Sequence, residues 1–310
     1  MKSNGKVLDL GIWTMKYFDN NTWIYLDNGF VKADEVQSDL FGQSMHYGYS
    51  ALEGIRAYNT HNGPRLFKAE QHYDRLRRTC ELIGIAFPWK TGQLVDQTYA
   101  LLEKNNLRSA YIRPLVITGQ NMYLTPAKDA HLTIAAWEWG PFLGTGLIRL
   151  ALSPYQRPNP LSLPPEAKIS GQYVASIVAT NEAVQRGFDE ALLLDQDGYV
   201  AQASSNNIFI EKDGVLYTPE TRHIFPGITR QTVFEIAAAF GIEVVTKRIT
   251  VAELQAADAA FLTGTATGIA GIASIDDVPY PEEWPDTLSA TIQRAYKNLT
   301  LENENFEVII

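Results

Sequence analysis

The sequence predicts an α+β chain of two lobes with a cleft between them, and three observations carry that expectation. Runs with helical spacing alternate with short β-rich runs along the whole 310 residues. Asn-Gly and Asp-Gly pairs sit between several of the short runs, the strongest local signal for hairpins. The stretch from Pro154 to Pro165 carries five prolines and no periodicity, which suits a connection between lobes. The expected division is a smaller α+β lobe at 1–153, a connecting loop at 154–167 and a larger lobe at 168–310.

Each element has a local reason. Thr22 to Ala33 reads as two short strands joined at Asp27-Asn28-Gly29, and Ile55 to Tyr58 pairs with Pro64 to Phe67 across His61-Asn62-Gly63. From Ala69 the period changes. Tyr73, Leu76, Cys80 and Ile83 step by three or four residues, giving an amphipathic helix that stops at Gly84. A second helix, Thr91 to Lys104, buries Leu94, Val95, Leu101 and Leu102. Strands follow at Ala110 to Thr118, Leu132 to Trp137 and Ile148 to Ser153. Beyond the proline-rich stretch, Gln172 to Arg186 is helical with Gly187 as its stop. Ala191 to Asp195 pairs with Tyr199 to Gln202, and Ile208 to Glu211 pairs with Val215 to Thr218 across Lys212-Asp213-Gly214. A helix from Ile228 to Phe240, strands at Val244 to Ile249 and Ala260 to Thr263, and a helix near Thr287 to Lys297 complete the chain.

Composition narrows the function. A net charge of −9 argues against nucleic acid or an anionic membrane surface as partner. Cys80 is the single cysteine, which excludes an internal disulfide framework and a cysteine metal cluster. No apolar run reaches the roughly twenty residues of a membrane span, and the amino terminus lacks a signal-peptide core. The expectation is a cytoplasmic protein with no metal.

Lys168 is the first chemical candidate. It lies among Ala167, Ile169, Ser170 and Gly171, with no acidic residue directly beside it, and a lysine amine stripped of hydration is a nucleophile toward carbonyls. The bland alternative is a surface lysine with its charge in water. Pro226-Gly227 opens a helix, so the N–H groups of Ile228 and Thr229 face outward at the positive end of a helix dipole, as an anion site requires. Gly264-Thr265-Ala266 leaves a strand on a small-residue turn that also exposes N–H groups and a hydroxyl.

Lys168-Ile169-Ser170-Gly171-Gln172-Tyr173, followed by a helix and then Tyr199 to Phe209, resembles the cofactor region of the branched-chain aminotransferases, pyridoxal 5′-phosphate (PLP) enzymes of fold type IV. The resemblance continues through His46-Tyr47-Gly48, Glu53-Gly54-Ile55-Arg56, Ser109 to Pro114, Pro226 to Arg230 and Gly264 to Ala266, in the family's order. It implies a two-domain fold type IV enzyme that works as a homodimer. It also implies transfer of an amino group between L-glutamate and a hydrophobic 2-oxo acid. Lys168 would carry PLP and move the proton, Tyr173 would donate to the 3′-oxygen, and Arg75, Ile228, Thr229 and Thr265 would hold the phosphate. Tyr47, Tyr111, Arg113, Trp139, Phe142 and Ala266 match substrate-pocket positions, some reaching in from a neighbouring subunit. Arg113 suits the second carboxylate of glutamate, because its guanidinium pairs with carboxylates in bidentate fashion. Gly-Arg versions of these motifs, found in the D-amino-acid branch, are absent, which favours the L-amino-acid branch.

Gln202 departs from the pattern. The family carries there a glutamate that keeps a proton on the pyridine nitrogen, and a protonated ring is the stronger electron sink. Asn206 and Gly268 also stand where relatives carry glutamate. A lyase, isomerase or other biosynthetic enzyme on the same scaffold, using an unprotonated pyridine nitrogen because of Gln202, is the alternative reading.

Overall fold

The computed structural model describes residues 17–37 and 39–302. Their strands form two sheets, one of seven strands and one of nine. In the first, every pairing is antiparallel, and the order runs Gly29–Lys32, Trp23–Leu26, Ala130–Trp137, Ala110–Thr118, Ile55–Thr60, Gly63–Leu66. Ala51–Leu52 adds on to Ala110–Thr118. Helices Ala69–Ile83 and Thr91–Lys104 cover one face and bury Tyr73, Leu76, Cys80, Leu94, Leu101 and Leu102 in a common core with Ile55, Ile112 and Ile134. Gly84 adopts φ 75° and ends the first helix where the spacing breaks. Val95 is only partly buried, and Thr98 takes the inward position one turn along.

The second sheet is mixed. Its order is Val200–Ala203, Glu190–Leu194, Ile148–Gln156, Gly268–Ile275, Ala259–Gly264, Asn207–Lys212, Val215–Thr218, Val244–Thr246. Ile148–Gln156 runs parallel to both its neighbours, and parallel neighbours need a crossover. Helix Tyr173–Gln185 supplies one of them, burying Ala179 and Ala183 against Ala151, Ala191 and Leu193. Helices Ile228–Ala239 and Leu288–Leu301 join a second core, in which Phe209 and Phe261, paired across neighbouring strands, stack with ring centroids 5.0 Å apart. The Lys212–Val215 hairpin turns on Asp213 and Gly214, both at positive φ, as a primed two-residue turn demands.

The structure corrects four expectations. In the amino-terminal hairpin Leu26 pairs with Gly29, so Asp27 and Asn28 make the turn and Gly29 already belongs to the strand. The change of sheet does not coincide with 154–167: Ile148–Gln156 is a strand of the second sheet, so the crossing lies between Trp137 and Ile148. The run expected as a strand to Ile249 ends at Thr246, and a short helix, Val251–Gln255, follows with a Thr250/Glu253 capping box. The strand Gly268–Ile275, GIAGIASI, is absent from the elements the sequence predicts. Its glycines read against a strand, yet Gly271 is there for space: a Cβ would stand 2.6 Å from Leu147 and 2.8 Å from the Trp284 indole.

Candidate active site

Lys168 is positioned by the first lobe. Its N–H donates to Thr79 Oγ1, its carbonyl accepts from Leu52, and the next residues continue the stitching through Ser170 N–H to Ser50 O and Gly171 N–H to Gly48 O. That approach is tight. A Cβ on Gly48, which adopts φ +63°, would lie 2.7 Å from Gly171 Cα. A single 3-10 turn then leads into helix Tyr173–Gln185, and the Lys168 ammonium donates to the Tyr173 phenol. The same Nζ lies 4.8 Å from the Phe225 ring centroid. Burial by itself would raise the Tyr173 pKa. The Lys168 charge and hydrogen bond, with Arg113 behind them, outweigh it and hold the phenol below its ordinary value.

These groups border a cavity of about 590 Å³ lined from both lobes. Lys168, Tyr173, Gln202, Arg75, Ile228, Thr229, Thr265, Tyr111, Arg113, Trp139, Phe142 and Ala266 all line it, so twelve of the thirteen expected residues meet in one place. Tyr47 does not. It is 46% exposed and donates to the Met122 carbonyl on the outer surface.

One end of the cavity suits an anion. Phe225-Pro226-Gly227 is clamped before helix Ile228–Ala239: Asn207 donates to Phe225 O at 2.8 Å and accepts from Gly227 N–H at 3.1 Å, while Arg75 Nη1 donates to Pro226 O at 3.1 Å. The first helical bond is Gln231 N–H to Gly227 O, so the Ile228 and Thr229 N–H groups precede it and remain available. Arg75 brings the cation. Its Nε and Nη2 grip the Glu53 carboxylate at 2.6 and 2.9 Å, and His72 Nδ1 meets the same carboxylate at 2.8 Å. Glu53 is fully buried. Burial opposes its charge, but Arg75 and the His72 hydrogen bond hold the carboxyl far below the ordinary 4.5. His72 is also lowered, by burial first, against its hydrogen bond to Glu53, which raises it. The two directions agree: an ionised Glu53 accepts from a neutral imidazole.

The other end is apolar and aromatic. Tyr111 and Trp139 meet at 4.9 Å and Trp139 and Phe142 at 5.2 Å, each edge to face. Arg113 lies over Tyr111 and donates to its hydroxyl at 3.2 Å, while its buried Nε has no partner. Arg56 ties this wall together, donating to the Trp139, Gly140 and Ala266 carbonyls.

Glu53, His72, Arg56 and Asn207 escaped the sequence reading, and one signal was available for two of them. Glu53 and Arg56 interrupt the apolar run Ala51, Leu52, Ile55, and charges set into a buried strand have to be paired. Asn206, which replaces a family glutamate, accepts from Thr267 Oγ1 at 2.8 Å and braces the 264–267 turn. Gly268 adopts φ +68°, where a glutamate would be strained. Among the described residues no group of His, Cys, Asp and Glu forms a metal site.

A cation with two helix-start N–H groups at one end, an amine and a phenol in the middle, and an amide on the far wall fit a phosphorylated pyridine aldehyde. The amino-transferase class IV model matches residues 50–275. The chain belongs to that family. It is 36% identical over 291 residues to the branched-chain-amino-acid aminotransferase of Pseudomonas aeruginosa, covering 92% of this chain and 95% of that one. Its fold follows the branched-chain aminotransferase of Thermoproteus uzoniensis solved with norvaline, at a TM-score of 0.88 and 34% identity over 92% of this chain and 96% of that one. The T.th. branched-chain amino acid aminotransferase complexed with N-(5′-phosphopyridoxyl)-L-glutamate matches at a TM-score of 0.87 and 34% identity, covering 92% and 96%. The α+β, fold type IV expectation holds, the protein is an aminotransferase, and PLP is its cofactor.

Proposed function

We propose that this aminotransferase moves the amino group between L-glutamate and a hydrophobic, branched-chain-type 2-oxo acid, as a homodimer in the cytoplasm. The observation that carries the reading is the lining of the cavity: the Arg113 guanidinium is set in an otherwise aromatic and apolar wall of the cavity that Lys168 also lines. Such a wall accepts a branched apolar side chain, and its one cation accepts the side-chain carboxylate of glutamate. The relatives reported above carry the same aminotransferase name, and the complex with a phosphopyridoxyl-glutamate adduct supports glutamate as a partner of this fold. The relatives support transamination over the lyase or isomerase alternative.

When bound, PLP supplies an electron sink for charge developing at the substrate α-carbon. The chain's own residues do the rest. Arg75, the Ile228 and Thr229 N–H groups and Thr265 would hold the phosphate, with Glu53 keeping the Arg75 fork aimed. Lys168 would anchor the cofactor and, as an amine, take up and return the substrate α-proton. Tyr173 would donate to the 3′-oxygen. Tyr111, Trp139, Phe142 and Ala266 enclose the side chain and exclude water.

The homodimer rests on apolar surface. Val174 is 63% exposed on helix Tyr173–Gln185, beside Ile177 and Val184, which border the cavity, and Met45, Tyr123 and Leu124 are exposed elsewhere. In such a dimer Tyr47, which faces away from its own cavity, would be the residue that reaches the neighbour's. No described helix is long and apolar enough to cross a membrane.

The test is to mix holoenzyme with L-leucine, L-isoleucine, L-valine or L-glutamate and follow conversion to the pyridoxamine form, with Lys168→Ala alongside. Conversion by glutamate and at least one branched-chain amino acid is expected. Lys168→Ala should lose the visible absorption of protein-linked cofactor. Cofactor-loaded protein that converts with none of the four, or a Lys168→Ala protein that keeps the absorption, would sink the reading.

A further inference from the structure

The amide of Gln202 is fixed in one orientation. The residue is 4% exposed and forms part of the cavity wall. Its Oε1 accepts the Phe225 N–H at 2.7 Å, and its Nε2 donates to the Ala203 carbonyl over a longer 3.3 Å. Turning the amide over would set Nε2 against the Phe225 N–H and Oε1 against the Ala203 carbonyl. Two hydrogen bonds would become two like-to-like contacts. The Phe225 N–H has no freedom to relieve them, because Asn207 holds Phe225 O and Gly227 N–H, and Arg75 holds Pro226 O.

That leaves Nε2 with one long bond and a second N–H without a partner, in an amide almost closed off from water. A buried N–H without an acceptor is costly, whereas an amide oxygen that already accepts one bond is satisfied. The cavity side of Gln202 therefore wants an acceptor. A neutral amide also brings no charge to offset a pyridinium ion held away from water.

We propose that Gln202 donates this free N–H to the ring nitrogen of PLP, and that the enzyme holds its cofactor with that nitrogen unprotonated. The proposal rests on the cofactor reading above and deepens it. Gln202 is in this sense a positioning residue with an electronic consequence: the ring draws electrons from the substrate α-carbon less strongly than it does beside a carboxylate. More of the work of moving the proton then falls to Lys168.

The experiment is 15N NMR of holoenzyme loaded with PLP labelled at the ring nitrogen, in wild type, Gln202→Glu and Gln202→Met, with PLP affinity measured by equilibrium dialysis. The wild-type resonance should fall in the unprotonated-pyridine range, and Gln202→Glu should move it to the pyridinium range. Gln202→Met should leave the nitrogen unprotonated and weaken PLP binding by about two- to tenfold, the worth of one hydrogen bond. A wild-type resonance in the pyridinium range overturns the proposal, and so does a Gln202→Glu resonance that does not move. Failure of the cofactor reading looks different: wild-type protein would then retain no PLP after gel filtration, and both ideas would fall together. The wild-type measurement needs no variant to fold.

Discussion

Replacing Glu53 by glutamine should destabilise the cofactor-free protein by about 3–5 kcal/mol, the usual result of removing one partner from a buried, hydrogen-bonded ion pair. The structure puts Glu53 at the severe end of such pairs. Its side chain is wholly buried, the Arg75 side chain is 14% exposed, and the two share a bidentate contact with His72 attached to the same oxygen. Glutamine retains the shape but offers a single acceptor oxygen, so the Arg75 charge is left with the Pro226 carbonyl and the cavity. In urea, with a slope of about 3 kcal/mol per molar for a chain of this size, the unfolding midpoint should fall by about 1 M or more. PLP should recover part of that loss, since its phosphate supplies Arg75 with a new counter-charge.

The pH dependence identifies the cause. Glu53 has a folded pKa far below its ordinary 4.5, so its contribution is complete above that value and is lost as the pH falls through and below it. At pH 4.5 the unfolded carboxyl binds about half a proton and the folded one almost none, which gives about 0.7 kcal/mol of stability per pH unit. His72, lowered by burial, bends the curve in the same direction, so the informative quantity is the difference between the two proteins. Wild type should lose stability toward acid more steeply than Glu53→Gln by about that slope. A midpoint change worth under 1 kcal/mol, or parallel pH profiles, would refute the view that Glu53 is an ionised buried anchor for Arg75.

Two further outcomes follow from packing. Gly271→Ala forces a Cβ into the Trp284 indole and the end of Leu147, and overpacking of this kind costs about 1–3 kcal/mol. Its melting temperature should fall by roughly 2–6 °C with the cofactor spectrum unchanged, and an unchanged melting point would mean the strand has room to spare. Light scattering of the holoenzyme should return the mass of two chains, because Val174, Met45, Tyr123 and Leu124 leave apolar surface open to water; an active species of one-chain mass would exclude the dimer.

Local signals carried much of this architecture. Helix Thr91–Lys104 runs between the ends expected from its spacing, and Gly84 and Gly187 stop their helices at positive φ. What stayed hidden was set by tertiary contacts. The glycines of Gly268–Ile275 lower its strand propensity, and the reason for Gly271 lies in the packing of Leu147 and Trp284 against it. Glu53 and His72 are nineteen residues apart, and nothing near either announces the other. The orientation of Gln202 depends on an N–H twenty-three residues away. The residue type was readable, but the atom it turns to the cavity was not.

The hidden contacts share a direction, which explains why stability and chemistry are coupled here. Lys168 leads into helix Tyr173–Gln185, which packs on the second sheet, yet its backbone is held by Leu52 and Thr79 of the first lobe. Arg75 and Arg56, both from the first lobe, end on the Pro226 and Ala266 carbonyls of the second. The cavity is thus walled by groups whose placement comes from across the cleft, and each tie is a hydrogen bond from or to a buried or partly buried group. A change such as Glu53→Gln therefore loosens the fold and leaves the Arg75 charge at the anion end without its counter-charge in one step. Separating those effects requires the cofactor-free and PLP-loaded proteins to be compared side by side: a purely structural role shifts both midpoints equally, whereas an Arg75 that also grips phosphate makes the loaded protein less sensitive.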